Sequence, residues 1–276
     1  MKKRTNFGRK IKIKKIRASS KVEEMQDIIP AELFLTITLN GNAAAMISCS
    51  PQNLIELAVG YLINNGYISS YSDINLLKIC HKEIDCIISK NDFFINIEVH
   101  TNIKMQSNPG HPKFISSACG SIDDFVLNSG LQKIKSGFKI NYLDVLKMNT
   151  ENAGMQEYKK QFGGLHSAAL FKGDGSLLAM AEDIGRHNCI DKLAGRISIS
   201  KIDVSDKVLF TTGRLSLDAV YKVIKMKIPA VVTNSSITYS AALFAKKMNL
   251  TAIGYARGGR FNIYSVPSRI ITGDKM

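Results

Sequence analysis

Five cysteines are the side chains of this 276-residue sequence best suited to covalent chemistry, and Cys119 stands apart from the other four. It lies in the small-residue run Ser-Ser-Ala-Cys-Gly-Ser at 116–121, directly before a helix predicted over 122–131. Small neighbours leave a thiol accessible, and a helix N-terminus lowers the pKa of a thiol because it favours the anion. A thiolate attacks sulfur, so this segment predicts a nucleophilic or sulfur-carrying cysteine. A small buried packing residue fits the local sequence equally well.

The remaining cysteines have different surroundings. Cys49 and Cys189 adjoin apolar periodic segments, and we expect both to be packing residues. Cys80 and Cys86 flank His81, but their spacing matches no common zinc pattern and a fourth ligand is missing. The sequence therefore predicts no metal site.

Two polar runs lie beside predicted strands. The run 163–167 places a histidine at the start of a strand, and the run Glu-Asp-Ile-Gly-Arg-His-Asn at 182–188 leads from a strand into a helix. Ligand sites of α/β folds form at strand ends, so the two runs predict a pocket. Its candidate residues are His166, Arg186 and His187. The alternative is a purely structural role, with Asn188 as the helix cap and Asp183 paired with Arg186.

Two glycine–arginine segments suggest phosphate binding. Gly213 and Arg214 follow a predicted strand and precede a helix, where backbone amides and a guanidinium can hold a phosphate. The second segment surrounds a Gly-Gly pair near the C-terminus. Its candidate residues are Tyr255, Ala256, Arg257, Gly258, Gly259 and Arg260. A Gly-Gly hairpin turn with solvated arginines is the alternative for this second segment.

Alternating strands and helices must position these residues. Strands are predicted at 167–171, 177–181, 207–212, 229–234, 251–256 and 261–265, and helices at 142–161, 188–198, 215–226 and 239–248. Such alternation predicts an α/β fold with layers and a largely parallel sheet. A smaller α+β domain precedes it. There we expect a strand at 32–39, a turn at Asn40-Gly41, a returning strand at 43–48, a helix capped by Ser50, and two strands within 84–99.

The composition further narrows the class of protein to which this sequence can belong. The 45% apolar and 22% charged content is ordinary for a globular protein, and neither a membrane span nor a secretion signal is visible. An odd number of scattered cysteines argues against a disulfide framework, so we expect a cytoplasmic protein. Nine of the 14 excess positive charges lie within residues 1–17, which carry no acid. This stretch is predicted to stay unfolded, either as a solvated extension or as a non-specific contact for nucleic acid or acidic partners, without specific nucleic-acid binding.

Several segments together resemble one family. They are 35–41, 56–62, 117–120, 163–166, 182–188 with Asp191 and Lys192, Gly213-Arg214 with Lys222, and 257–261. In this order, over about residues 28–267, they resemble the FdhD family of formate dehydrogenase accessory sulfurtransferases. The run at 182–188 is the most specific of them.

The resemblance implies a homodimeric cytoplasmic protein that receives persulfide sulfur from a cysteine desulfurase. It implies transfer of that sulfur to a molybdenum bis(molybdopterin guanine dinucleotide) cofactor for the formate dehydrogenase catalytic subunit. By this resemblance Cys119 carries the persulfide and residues 255–260 bind the cofactor, for which GDP is a mimic. We divide the chain into a basic flexible tail at 1–20, an α+β domain at 21–135 with the cysteine loop, and a domain at 136–276 similar to the cytidine deaminase fold.

The sequence departs from the family pattern in the cysteine loop. The second loop cysteine of many relatives is Ile122 here, so the sequence supports a one-cysteine carrier and not a two-cysteine relay. A non-catalytic chaperone for the cofactor is one alternative. A zinc nucleotide deaminase is another, but Ser167 and Ala168 follow His166 where a glutamate is required, and no Cys-x-x-Cys occurs.

Overall fold

The structure is a computed structural model that describes residues 7–18, 21–81, 94–103 and 130–273. The Cys119 segment, Ile122 and most of the helix predicted over 122–131 lie outside the described residues. The N-terminal strands are β1 (Gly8–Ile16), β2 (Val22–Pro30), β3 (Leu33–Leu39), β4 (Asn42–Cys49), β5 (Leu76–His81), β6 (Phe94–His100) and β7 (Ile140–Asn141). The later strands are β8 (His166–Phe171), β9 (Leu177–Asp183), β10 (Val208–Thr211), β11 (Ala230–Thr233), β12 (Thr251–Arg257), β13 (Arg260–Ser265) and β14 (Ile270–Ile271). The helices are α1 (Leu54–Asn64), α2 (Tyr142–Met155), α3 (Glu157–Phe162), α4 (Arg186–Ile199), α5 (Leu217–Lys225) and α6 (Tyr239–Lys247).

The N-terminal part contains a four-stranded sheet in the order β4-β3-β6-β5, covered by α1. Strand β3 buries every second residue, and these apolar side chains pack against Leu57 and Leu62 of α1. The predicted turn is confirmed, because Asn40 and Gly41 both have the positive φ that a two-residue hairpin turn requires. Of the two strands expected within 84–99, the second is confirmed by β6, whereas the first falls on residues 84–90, outside the described residues. Strand β5, at Leu76–His81, was not predicted.

Helix α1 begins later than the sequence suggests. Ser50 was expected to cap it, but the cap is Asn53 in a left-handed conformation. Ser50 is buried instead, where its Oγ accepts a hydrogen bond from the amide of Ile184 at 3.1 Å. The capping motif therefore serves a contact between distant parts of the chain, which local patterns do not reveal.

The second sheet has six strands in the order β13-β12-β11-β10-β8-β9. Strands β10, β11 and β12 run parallel to one another, whereas β8, β9 and β13 are antiparallel to their neighbours. The expected largely parallel sheet is therefore wrong, and the sheet is mixed. The reason is local: β8–β9 and β12–β13 are joined by short turns, and short turns connect only antiparallel strands.

Helices lie on both faces of this sheet. Helices α4, α5 and α6 pack on one face through a core that includes Leu193, Val220 and Phe244. Helix α2 packs on the other through Val145 and Met148. The strand and helix positions predicted over 166–265 agree with these elements to within a few residues.

The two parts of the chain meet where α1 crosses α4, with their backbones in contact. A Cβ atom added to Gly60 would lie 1.7 Å from the carbonyl oxygen of Asp191. One added to Gly195 would lie 1.9 Å from the carbonyl oxygen of Glu56. Only glycine at both positions permits this separation.

The basic segment at 1–20, expected to be an unfolded tail, contains strand β1. It pairs antiparallel with β2 along its whole length, and this two-stranded unit is called the ribbon below. The alternation of lysine and isoleucine in β1 has the two-residue period of a strand. The acidic residues of β2 offset part of the charge, as in the pairs Lys14–Glu24 at 3.6 Å and Arg17–Glu23 at 3.3 Å.

Candidate functional site

One edge of the six-stranded sheet collects the predicted ligand residues. His166 begins β8, Arg186 and His187 follow β9, Arg214 follows β10, and Arg257 ends β12. Since β8 and β9 are antiparallel to each other, the start of β8 and the ends of β9, β10 and β12 fall on the same edge. From β9 to β12 this edge spans about 19 Å at the usual strand spacing. An extended ligand is needed to contact all of these residues together.

His166 is held beside β10. Its Nδ1 lies 3.4 Å from Oγ1 of Thr212, and the same Oγ1 accepts the amide of Ser167 at 3.0 Å. Burial lowers the pKa of His166, and the positive charges of Arg186 and Lys159 add to the effect. The imidazole is therefore biased toward its neutral form, which can accept as well as donate a hydrogen bond. Thr212 was not predicted, although a threonine between a strand and a glycine turn is the signal that identifies it.

Arg186 lies across Gly213. A Cβ on Gly213 would lie 2.8 Å from Cβ of Arg186, so the glycine makes room for the arginine side chain. The Nε atom of Arg186 is inaccessible to solvent and has no hydrogen-bond partner among the described residues. A buried guanidinium nitrogen without a partner is costly, so an added acceptor, such as a water or a ligand oxygen, would stabilise it. Arg186 is thus the candidate residue that the structure most clearly leaves incomplete.

The turn at Gly213 and Arg214 leaves fewer backbone amides for a phosphate than its sequence suggests. The amide of Gly213 donates to Oγ1 of Thr211 at 3.1 Å, and the amide of Leu215 donates to the carbonyl of Ser236 at 3.0 Å. The hydroxyl of Ser216 already caps α5. These backbone groups are satisfied within the protein, so the exposed side chain of Arg214 is what remains to contact an anion.

His187 joins a chain of polar side chains that runs away from the edge. Its Nε2 lies 3.4 Å from Oγ of Ser216 and 3.7 Å from Asp218. Lys222 lies 3.8 Å from Asp218 and 2.8 Å from Asp191. Burial lowers the pKa of His187, whereas the nearby Asp218 carboxylate acts in the opposite direction. The histidine is therefore coupled to a buried network as well as placed at the edge.

Other residues of the run 182–188 are structural. Asp183 forms an ion pair of 2.6 Å with Lys192, and both side chains are fully buried. The expected pairing of Asp183 with Arg186 is therefore wrong, as is the role of Asn188 as helix cap, because the cap is Gly185. Asn188 instead donates to Asp183 at 2.9 Å.

Glu182 has a structural role of its own. Its carboxylate accepts the amides of Tyr158 at 3.0 Å and Lys159 at 2.9 Å, in the first turn of α3. A carboxylate bound to these free amides stabilises the helix N-terminus. The run therefore divides into residues that build the protein and two, Arg186 and His187, that remain candidates for ligand contact.

The Tyr255–Arg260 segment forms the turn end of the β-hairpin made by β12 and β13. Gly258 and Gly259 both have positive φ and form its turn, while Tyr255 is itself left-handed with φ of 54°. Arg257 and Arg260 lie directly opposite each other across the hairpin, and both are exposed. Like charges opposed in this way are unfavourable, and neither arginine forms an ion pair with a described acidic side chain. An anion bound between them would relieve the repulsion. Ala256 is buried and helps to anchor the strand.

The predicted packing cysteines are confirmed. Cys49 and Cys189 are both buried, and burial is the main cause that raises the pKa of Cys49 to about 12 and that of Cys189 well above its usual value. Neither thiol is suited to nucleophilic attack near neutral pH. Within the described residues, no helix has both the length and the apolar character needed to cross a membrane.

Fold and site together define a class: a mixed α/β protein with arginines gathered along one edge of its six-stranded sheet. Residues 30–271 match the sequence profile of the FdhD/NarQ family. Two Staphylococcus aureus proteins, of strains JH9 and Newman, are each named Sulfur carrier protein FdhD. Both are 31% identical to this chain over 247 residues, which cover 88% of it and 89% of theirs. The crystal structure of a formate dehydrogenase accessory protein from Desulfotalea psychrophila has a TM-score of 0.76 at 23% identity, and the match covers 96% of this chain and 100% of that one.

The family follows from the first two findings, and the third shows the shared fold. This chain belongs to the FdhD/NarQ family.

Proposed function

We propose that this protein is a sulfur carrier that serves the maturation of formate dehydrogenase. The observation that carries the proposal is the 31% identity, over nearly the whole chain, to proteins named Sulfur carrier protein FdhD. In this proposal Cys119 holds the sulfur as a persulfide received from a cysteine desulfurase. The substrate that receives it is a molybdenum bis(molybdopterin guanine dinucleotide) cofactor on its way to the dehydrogenase catalytic subunit.

The sulfur transfer balances without an added oxidant. The thiolate of Cys119 attacks the outer sulfur of the donor's persulfide, the donor's S–S bond breaks, and the donor cysteine leaves as a thiolate. The product is a persulfide on Cys119. In the second step a nucleophile on the acceptor supplies an electron pair to the outer sulfur, the S–S bond breaks, and Cys119 leaves as a thiolate. One cysteine suffices for both steps, in keeping with Ile122 at the position of a second thiol.

The sheet edge supports binding of the guanine dinucleotide. Arg186 has a buried nitrogen without a partner, and Arg257 and Arg260 are opposed without a counter-ion among the described acids. Guanidinium groups bind diphosphate through charge-assisted hydrogen bonds. In the proposed arrangement these arginines hold the phosphates, while neutral His166 and His187 contact polar groups of the substrate.

The finer points of the resemblance complete the proposal. We infer a cytoplasmic homodimer, and a larger domain similar to the cytidine deaminase fold. The helices on both faces of the mixed sheet support that likeness. The exposed apolar side chains of the ribbon, Ile11, Met25 and Ile29, support self-association.

The test is a sulfur-labelling experiment. The purified protein is incubated with a cysteine desulfurase and L-cysteine, and its peptides are analysed by mass spectrometry. We expect a reducible gain of about 32 Da, one sulfur atom, on the Cys119 peptide. The Cys49 and Cys189 peptides should remain unlabelled, since both thiols are buried and protonated.

Two variants make the result decisive. Cys119→Ser should abolish the label, and Cys189→Ala, which removes a buried thiol, should keep it. Retention of the full label in Cys119→Ser would overturn the assignment. If the parent takes up no sulfur yet binds the cofactor, the protein is a non-catalytic chaperone instead.

A further inference from the structure

A cavity of about 520 Å³ lies away from the candidate site. Its walls come from residues 130–136, from the segment before β10, and from the C-terminal end of α5. Helix α5 runs antiparallel to β10, so its C-terminal end returns to the edge of the sheet where β10 starts. The cavity is therefore at the opposite sheet edge from Arg186 and His166. Its size falls in the range of small-molecule sites.

The cavity is strongly basic. Four lysines line it, and one acid, Asp203, does so as well. The carboxylate of Asp203 already accepts the amide of Ser205 at 3.0 Å and its hydroxyl at 2.9 Å. The lining lysines are Lys133, Lys135, Lys225 and Lys227. No ion pair joins any of the four to a described carboxylate. An excess of about three positive charges thus surrounds one small space.

Lys225 is half-buried, whereas the other three lysines are exposed, and its contacts are weak. Its Nζ donates only a long bond of 3.5 Å to the carbonyl of Asn64 and lies 6.0 Å from the centre of the Tyr221 ring. Burial lowers the pKa of Lys225 to about 8. A partly buried ammonium with a depressed pKa lacks a counter-charge, and an anion in the cavity would supply one.

The walls are not uniformly polar. Ile134 and Ile224 are buried and Val204 is half-buried, and all three line the same space as the lysines. A lining that combines apolar side chains with cations suits a molecule that carries both an apolar body and an anionic group. Inorganic anions alone would leave the apolar walls unused.

We propose that this cavity is a second ligand site, which binds a small phosphate ester through Lys133, Lys135, Lys225 and Lys227. The phosphate lies among the four ammonium groups, and the organic part lies against Ile134, Val204 and Ile224. The site is separate from the sheet edge assigned to the guanine dinucleotide, and it does not depend on the proposed sulfur transfer.

The test locates the anion by protection of individual lysines. The full-length protein is acetylated briefly at pH 8 with a dilute amine-reactive ester, with and without AMP, at constant ionic strength set by sodium chloride. Peptide mass spectrometry then gives the rate at each lysine. We expect AMP to slow acetylation of Lys225 and Lys227 at least fivefold. Lys201 is the matched control, since it is also exposed and also follows a helix with a positive φ of 51°, against 62° for Lys227.

Charge reversal sharpens the result. In Lys227→Glu the AMP concentration that half-protects Lys225 should rise about tenfold, as expected for the loss of one charge-assisted contact. In Lys201→Glu, which changes the net charge equally, it should change less than twofold. Lys133→Glu lies outside any helix or strand and repeats the test if Lys227→Glu fails to fold by circular dichroism. Equal protection of Lys201, or no protection of Lys225, would overturn the proposal.

Discussion

Arg257 and Arg260 are the two side chains of the hairpin on which the proposed phosphate binding depends. They face each other across a tight turn, exposed and without an acidic partner in the described part of the chain. Nothing in the hairpin itself requires arginine at both positions. Opposed like charges cost a few tenths of a kcal/mol to about 1 kcal/mol, which a bound phosphate reverses.

We therefore expect loss of either arginine to weaken GDP binding. Each charge-assisted contact is worth about 1.5–3 kcal/mol, so Arg257→Ala or Arg260→Ala should raise the dissociation constant roughly 10- to 150-fold. Calorimetry measures it directly. Arg196→Ala, an exposed arginine on α4, is the control and should bind GDP like the parent. Unchanged affinity in both hairpin variants would move the site toward Arg186.

Substitution of Gly259 would be a poor test of the proposed phosphate site, although a Gly-Gly pair suggests that a ligand approaches the backbone closely. With φ of 72° it is part of the turn, so a valine there would strain the backbone and displace both arginines. Glycine substitution cannot separate close ligand approach from turn geometry at this position.

At the scale of elements, the crossing of α1 and α4 dominates the structure. Gly60 and Gly195 allow the two helix backbones to touch, and buried polar side chains surround the contact. Asn64 donates to Asp191 at 2.7 Å, and Lys192 reaches the carbonyl of Ser50 at 3.4 Å. The crossing therefore has both a steric and a polar requirement.

Gly60→Ala should destabilise the protein by about 1–3 kcal/mol, because its Cβ would overlap the Asp191 carbonyl and force the helices apart. The matched control is Gly154→Ala in α2, whose Cβ would meet nothing within 4 Å. That variant should be stabilised by about 0.5–1 kcal/mol, the usual gain of alanine over glycine in a helix. Chemical denaturation followed by circular dichroism measures both. Equal effects at the two positions would contradict the steric account.

Elements were largely predictable from the sequence, and their partners were not. The strands and helices over 166–265 follow from local hydrophobic periodicity, and so does the Asn40-Gly41 turn. The burial of Ser50, which leaves the cap of α1 to Asn53, depends on Ile184, 134 residues away in sequence. Lys192, the partner of Asp183, and β2, the partner of β1, lie nearby in sequence, yet the residue types alone did not single out these pairings. The candidate site shows the same division: its segments were recognisable, but which of 182–188 face a ligand required the fold.

In the molecule as a whole, the ribbon is the part that packs least against the other elements. Its base packs on Phe162, where Gly8 and Ile28 meet that ring. One face exposes Ile11 at 46% and Met25 and Ile29 at 41% each, beside the charged Arg9 and Asp27 of the same face. An isolated two-stranded unit is marginally stable in water. A second copy of this chain is the partner that the family resemblance offers for this face.

If the ribbon forms the dimer contact, Ile11→Lys should raise the dimer dissociation constant at least about tenfold through lost apolar burial. The new lysine faces Asp27, so pairing within the ribbon is retained. Gln26→Glu is the control on the opposite face, where the new carboxylate faces Lys12, and it should dimerise like the parent. Sedimentation equilibrium measures the constants. A monomeric parent, or a dimeric Ile11→Lys protein, would exclude the ribbon as the interface.

The glycine crossing also determines how the molecule can be divided. Cutting the chain near residue 135 would separate α1 from α4, and with them Asn64 from Asp191 and Ser50 from Lys192. The α/β part alone would expose the apolar and backbone surface that α1 covers, and would admit water to the buried Asp183–Lys192 pair. Each part has apolar clusters of its own, so what the cut removes is the crossing that joins them, and we expect both pieces to lose stability.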